Sequence, residues 1–264
     1  MQQCGESVAS EHHGTANQAR AQTGERIFTR FLLLRAKLIA PRETATTGEA
    51  TIVLGLPVAV FLARPVASLI MSTDVDWFIT DRRLLTTLAY EVVLAAALGW
   101  WLSRRGWRLL DDIRAPERSD LLRGPALWFA TWVIGVAVIR LLAAAVPSLE
   151  ALRVDVPLRG TLSIWTLAAA LLINPVFEEI LWLGYAIPTI ARRYGLPTAA
   201  VISVALRVAV HLNQGIHALT AVLPVALVFT AYFIYTRRLA PVVLAHIIIN
   251  VWGLGHFVEG GRET

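Results

Sequence analysis

The chain is a succession of apolar runs, most of them near the ~20 residues an α-helix needs to cross the hydrocarbon core of a bilayer. Seven candidates stand out, at roughly 50–72, 84–102, 126–146, 162–190, 198–212, 218–235 and 240–258. Backbone polar groups in lipid must bond within their own segment, and runs of this length do so as helices. Charged residues are only 16% of the chain, against roughly 25% in a soluble domain. The pattern therefore predicts an all-α fold, a polytopic transmembrane helical bundle of about seven spans. The fourth run is long, and Pro175 and Pro188 within it are expected to kink or divide it, which would make eight. The fifth is short and contains Arg207, so it needs shielding by its neighbours or a re-entrant turn.

The formal charge is +5 and the isoelectric point near 10.0. The basic residues sit between apolar runs, without the aromatic interleaving of a nucleic-acid surface, so no nucleic-acid partner is expected; the expected surroundings are the lipid bilayer. With the N-terminus in the cytoplasm, thirteen basic residues, among them Arg104, Arg105, Arg192, Arg193, Arg237 and Arg238, fall on the cytoplasmic side and five, Arg82, Arg83, Arg153, Arg159 and Arg262, on the other. That bias predicts a cytoplasmic N-terminus and a C-terminus on the opposite side. Residues 1–26 lack hydrophobic periodicity and read as a disordered tail holding Cys4, His12 and His13. The run 27–39, IFTRFLLLRAKLI, suggests a basic amphipathic helix on the membrane surface. The expected organisation is thus a tail with a surface helix (1–49), a membrane domain (50–258) and a short C-terminal tail (259–264). Cys4 is the sole cysteine, so no intrachain disulfide can form. No apolar h-region near the N-terminus marks a cleaved signal peptide.

Polar groups inside these runs need a reason, since a mid-membrane charge costs at least ~2.5–3.5 kcal/mol on insertion scales. Glu178 and Glu179 stand together within NPVFEEILWLGY; His211 follows Arg207 by four residues; His246 precedes Asn250 by four. Four residues is about one helical turn, so each such pair shares a face. At ~1.5 Å per residue, Glu179 lies about 20 Å from Arg192, His211 roughly 21 Å from Pro197, Asn250 about 18 Å from Arg238 and His246 about 12 Å from it. Three helices thus carry polar groups to comparable depth from one face. A buried carboxylate near a second one suits a general base. The His246–Asn250 pair alone reads equally well as inter-helical glue. Glu91 and Arg140, on the second and third runs, are expected to form a structural ion pair or to snorkel. His217 and His256, near run ends, are expected at the interface.

In order, these segments resemble the CPBP (CAAX protease and bacteriocin-processing, Abi) family, which includes the type II CAAX prenyl proteases. That family carries Glu-Glu-xxx-Arg, Phe-xxx-His and His-xxx-Asn/Asp motifs on successive membrane helices. They appear here at Glu178–Leu183, Arg207–His211 and His246–Asn250, with Leu183 in place of the arginine and Arg207 in place of the phenylalanine. Gly184 and Tyr185, and Gln214 with Gly215, are also similar to the family, and the likeness spans roughly 160–255. It implies an intramembrane endopeptidase acting on a peptide or protein substrate, lipid-anchored or not. Glu178 would activate water with Glu179 in support, and His211, His246 and Asn250 would hold that water or the oxyanion. Arg207 is expected to replace the missing motif cation from the facing helix. The favoured mechanism uses no metal; the alternative is a divalent metal such as zinc on Glu178, His211 and His246.

Other intramembrane chemistries fit less well. The chain has no His-Glu-xx-His helix for a zincin-like site, no Gly-x-Ser-Gly run and no Gly-x-Gly-Asp pair. The rival from another class is a catalytically inactive CPBP-like membrane protein acting in binding or immunity. A small transporter with a proton relay is the third reading.

Overall fold

The computed structural model describes residues 45–71, 80–145, 162–211 and 216–260, all within a single compact unit, Glu43–Thr264. Cys4, His12, His13 and the expected surface helix at 27–39 lie outside the described residues, as do the side chains of His217 and His256. The described residues form helices and no strand: α1 (Thr47–Met71), α2 (Asp81–Arg104), the short α3 (Leu109–Asp112), α4 (Asp120–Ala145), α5 (Ile164–Glu179), α6 (Ile187–Tyr194), α7 (Leu196–Val210), α8 (Ile216–Thr236) and α9 (Ala240–Gly260). A π-helical stretch, Ile180–Ala186, joins α5 to α6.

Three of these segments, Asp81–Arg104, Asp120–Ala145 and Ile164–Tyr194, are long and apolar enough to cross a membrane, and shorter apolar helices accompany them. The side-chain distribution is that of a lipid-solvated bundle. Trp165 is 82% exposed, while Glu91 and Glu179 are fully buried. Apolar surface outside and ionisable groups inside is the arrangement a bilayer selects. The protein is an integral membrane protein built as a helical bundle.

The fourth run does not divide. Ile164–Tyr194 stays continuous, with Pro175 inside α5 and Pro188 in the first turn of α6. A wide π-turn ahead of Pro188 gives its ring room where a tight α-turn would meet the carbonyl four residues back. The fold reverses at Gly195, whose φ of 84° suits a residue without a Cβ. Pro197 then opens α7 at the position where a missing N–H costs nothing.

Of the two expectations for Glu91 and Arg140, an ion pair or snorkelling, the pair is not made: Arg140 is exposed, and Glu91 is buried against α5 through Asn174. The reason is packing. α2 lies along α5, whereas α4 packs on α8 and α9, so the second and third runs turn their polar residues to different surroundings. At one end of the bundle, the α8–α9 corner is locked onto the segment before α4. Arg238 forks onto Asp120 at 2.7 and 2.8 Å, reaches Glu117 at 2.7 Å, and the Arg237 carbonyl accepts from Arg114 N–H at 2.8 Å. Asp112 pairs with Arg192 at the same end.

Candidate active site

Glu178 and Glu179 end α5. Adjacent helical residues point about 100° apart, so the two carboxylates meet different neighbours.

Glu179 turns toward α7 and α9. Its Oε1 accepts from His246 Nδ1 at 2.7 Å and its Oε2 pairs with the Arg207 guanidinium. Glu179 is fully buried, and Arg207 is 2% exposed. A lone carboxylate there would be strongly disfavoured, but a cation and an imidazole N–H satisfy it together. Phe229 on α8 floors the cluster, its ring centroid 5.8 Å from Arg207 Cζ and 6.2 Å from the His246 ring. Leu183 is fully buried. The charge set against Glu179 therefore comes from α7, across a helix interface, and not from the next turn of its own helix.

Glu178 turns toward α2. Its Oε1 accepts from Asn174 Nδ2 at 3.0 Å, and the same amide nitrogen donates to Glu91 Oε1 at 2.7 Å. The second oxygens of Glu178 and Glu91 are buried and have no hydrogen-bond partner among the described residues. Asn174 escaped the sequence reading. Its signal was its position, one turn before Glu178 on the same helix.

His211 follows the last residue of α7, and its Nδ1 meets the Arg207 carbonyl at 2.8 Å. A carbonyl only accepts, so Nδ1 carries the hydrogen and Nε2 remains for another partner. The same argument at Glu179 puts a hydrogen on His246 Nδ1. Asn250 lies one turn beyond His246 on α9, half-buried, and its side chain makes no hydrogen bond among the described residues. The structure thus joins Glu179, Arg207 and His246 directly, and ties His211 to Arg207 through the backbone. It joins Glu178 to Asn174 and Glu91. Glu178 bonds neither His211 nor His246. Among the described residues, no three His, Cys, Asp or Glu side chains gather as a metal site. In both histidines the bond at Nδ1, one to Glu179 and one to a carbonyl, leaves Nε2 as the nitrogen open to a further partner.

Residues 160–252 match the family model of the type II CAAX prenyl endopeptidase, Rce1-like. The match runs from the start of α5 into α9 and contains Glu178, Glu179, Arg207, His211, His246 and Asn250; Glu91 lies outside it. No curated protein and no solved structure matches the chain.

Proposed function

We propose that this chain is a CAAX-protease-like intramembrane endopeptidase in which Glu178 activates the attacking water. The observation that carries the reading is the Glu178 carboxyl. One oxygen is tied to Asn174, and the other is buried with no partner among the described residues, beside a cluster that holds a second carboxylate, an arginine and a histidine. In the reaction, water adds to the peptide carbonyl carbon and Glu178 Oε2 takes its proton. The carbonyl oxygen becomes an oxyanion. Collapse breaks the C–N bond, and the proton passes to the leaving amine. His211 and His246, each with Nε2 unclaimed by the bonds at Nδ1, and the Asn250 amide are the groups suited to hold the water and the oxyanion. Glu179 orients His246, and Arg207 stands in for the family's arginine as its counter-charge.

The reaction so written needs no metal. The substrate is a membrane-associated peptide segment, and a lipid-anchored tail arriving from the cytoplasmic side suits a site at this depth. Membrane peptides from cells carrying the wild type or Glu178→Gln, compared by mass spectrometry, test the proposal. Products present only with the wild type support it; identical peptide sets overturn it in favour of a non-catalytic binding protein. Activity that survives chelation supports the metal-free form. Activity lost to a chelator and recovered on adding zinc refutes that form.

A further inference from the structure

The Glu178 carboxyl is held by a device that lies partly outside the matched region. The Asn174 amide nitrogen has two hydrogens, and they go to two carboxylates on different helices: Glu91 Oε1 on α2 at 2.7 Å and Glu178 Oε1 at 3.0 Å. An asparagine side chain can present either its NH2 or its carbonyl oxygen to a neighbour. Facing Glu178 alone, nothing would decide between them except that one contact. An acceptor on α2 requires NH2 on that side, and so fixes which end of the amide Glu178 meets. Glu91 is fully buried, and Glu178 is 7% exposed, so water does not compete freely for these bonds.

We infer that Glu91 and Asn174 are positioning residues for Glu178. Glu91 sets the Asn174 amide, the amide pins Oε1, and the carboxyl is left with Oε2 as the oxygen offered to water. This rests on the proposed role of Glu178. What Glu91 supplies is an acceptor at the right place; its charge is not required.

The variants follow from that distinction. Glu91→Leu removes the acceptor, Asn174→Ala removes the bridge, and Glu91→Gln keeps an acceptor oxygen. The protein is reconstituted in phosphatidylcholine liposomes and assayed with an internally quenched farnesylated peptide ending in a CAAX sequence. Glu91→Leu and Asn174→Ala should lower kcat about 10²-fold, the usual cost of misplacing a catalytic group, with KM unchanged. Glu91→Gln should recover most of kcat. A Glu91→Leu enzyme with wild-type kcat overturns the inference. So does a Glu91→Gln enzyme as impaired as Glu91→Leu, since the charge would then matter. A second measurement stands apart from turnover: NMR of protein labelled with carboxyl-13C glutamate, the Glu178 signal being assigned by its loss in Glu178→Gln. That signal should move in Asn174→Ala and Glu91→Leu and return in Glu91→Gln. If the signals behave so while the wild type cleaves nothing, the positioning stands and the hydrolase reading falls. If the Glu178 signal ignores both changes, the positioning falls whatever the activity.

Discussion

Arg207 sets its charge against Glu179 from a facing helix. Its guanidinium is almost wholly buried and pairs with the fully buried Glu179, while Leu183 stands where the CPBP motif this segment resembles has arginine. Removing one partner of such a pair strands the other in a medium of low polarity, at a cost of about 3–5 kcal/mol. Arg207→Leu should therefore lower the melting temperature of the detergent-purified protein sharply, and Arg207→Lys less so. Adding Leu183→Arg to Arg207→Phe gives the chain the charge arrangement of the CPBP motif it resembles. It should recover part of the lost stability, as a non-additivity of roughly 0.5–3 kcal/mol in a double-mutant cycle; strict additivity would show that the two positions do not exchange roles. The Arg207–Glu179 pairing was open to inspection in the sequence because both residues stand inside recognisable motifs. The Glu91–Asn174–Glu178 bridge was not. The i, i+4 spacing of Asn174 and Glu178 is visible along the chain, but the identity of the α2 residue facing them depends on helix packing that no local pattern encodes.

At the scale of elements, helix placement was readable and its irregularities were not. The apolar runs locate the helices because lipid leaves the backbone no other way to bond. The π-stretch at Ile180–Ala186 depends on how that segment beds among its neighbours, and its residues look like any apolar helix. α4 and α9 approach closely at Gly124, where a Cβ would come within 2.6–2.8 Å of the Leu244 side chain, its Cβ included. Gly124→Ala should destabilise the protein by about 1–3 kcal/mol, the usual cost of overpacking, and Leu244→Ala in the same chain should relieve much of it. The corner between α8 and α9 carries a pH dependence. The hydrogen bond from Arg238 holds the Glu117 carboxyl below the usual glutamate range, and Arg238 is raised first by its hydrogen bonds to Asp120 and then by that to Glu117. A carboxylate lowered in the folded state contributes stability that is present above its unfolded value and lost as the pH falls through its folded one. The melting temperature should therefore drop under acid conditions below the ordinary glutamate range. The Glu117 part of that drop should disappear in Glu117→Gln, and it should be small because Glu117 is largely exposed.

For the whole molecule, the fold class was legible from hydrophobicity alone, and the structure adds which charges share an end. Arg105 with Glu49, Arg192 with Asp112, and Arg238 with Asp120 and Glu117 join segments far apart in the chain. The turn between α2 and α4, the α6–α7 reversal and the α8–α9 corner thus form one charged end. The other end is marked by the Ser163 N–H donating to Asp81 Oδ1 at 2.9 Å. Arg104, Arg105, Arg108, Arg114, Arg118, Arg123, Arg192, Arg193, Arg237 and Arg238 fall in these segments, so the positive-inside bias predicts that this end faces the cytoplasm. Arg192 stands at that end, and Glu179 lies thirteen residues before it, roughly 20 Å at a helical rise. A substrate entering from the cytoplasmic face would then meet the site well inside the bilayer. Cysteines placed singly in a Cys4→Ser background read this directly. At Arg118, cysteine should be protected from a membrane-impermeant maleimide in intact cells and labelled once the membrane is opened. At Ser163, whose side chain makes no capping bond, it should be labelled from outside. The reverse pattern would turn the charged end outward and require the peptide substrate to arrive from the opposite face.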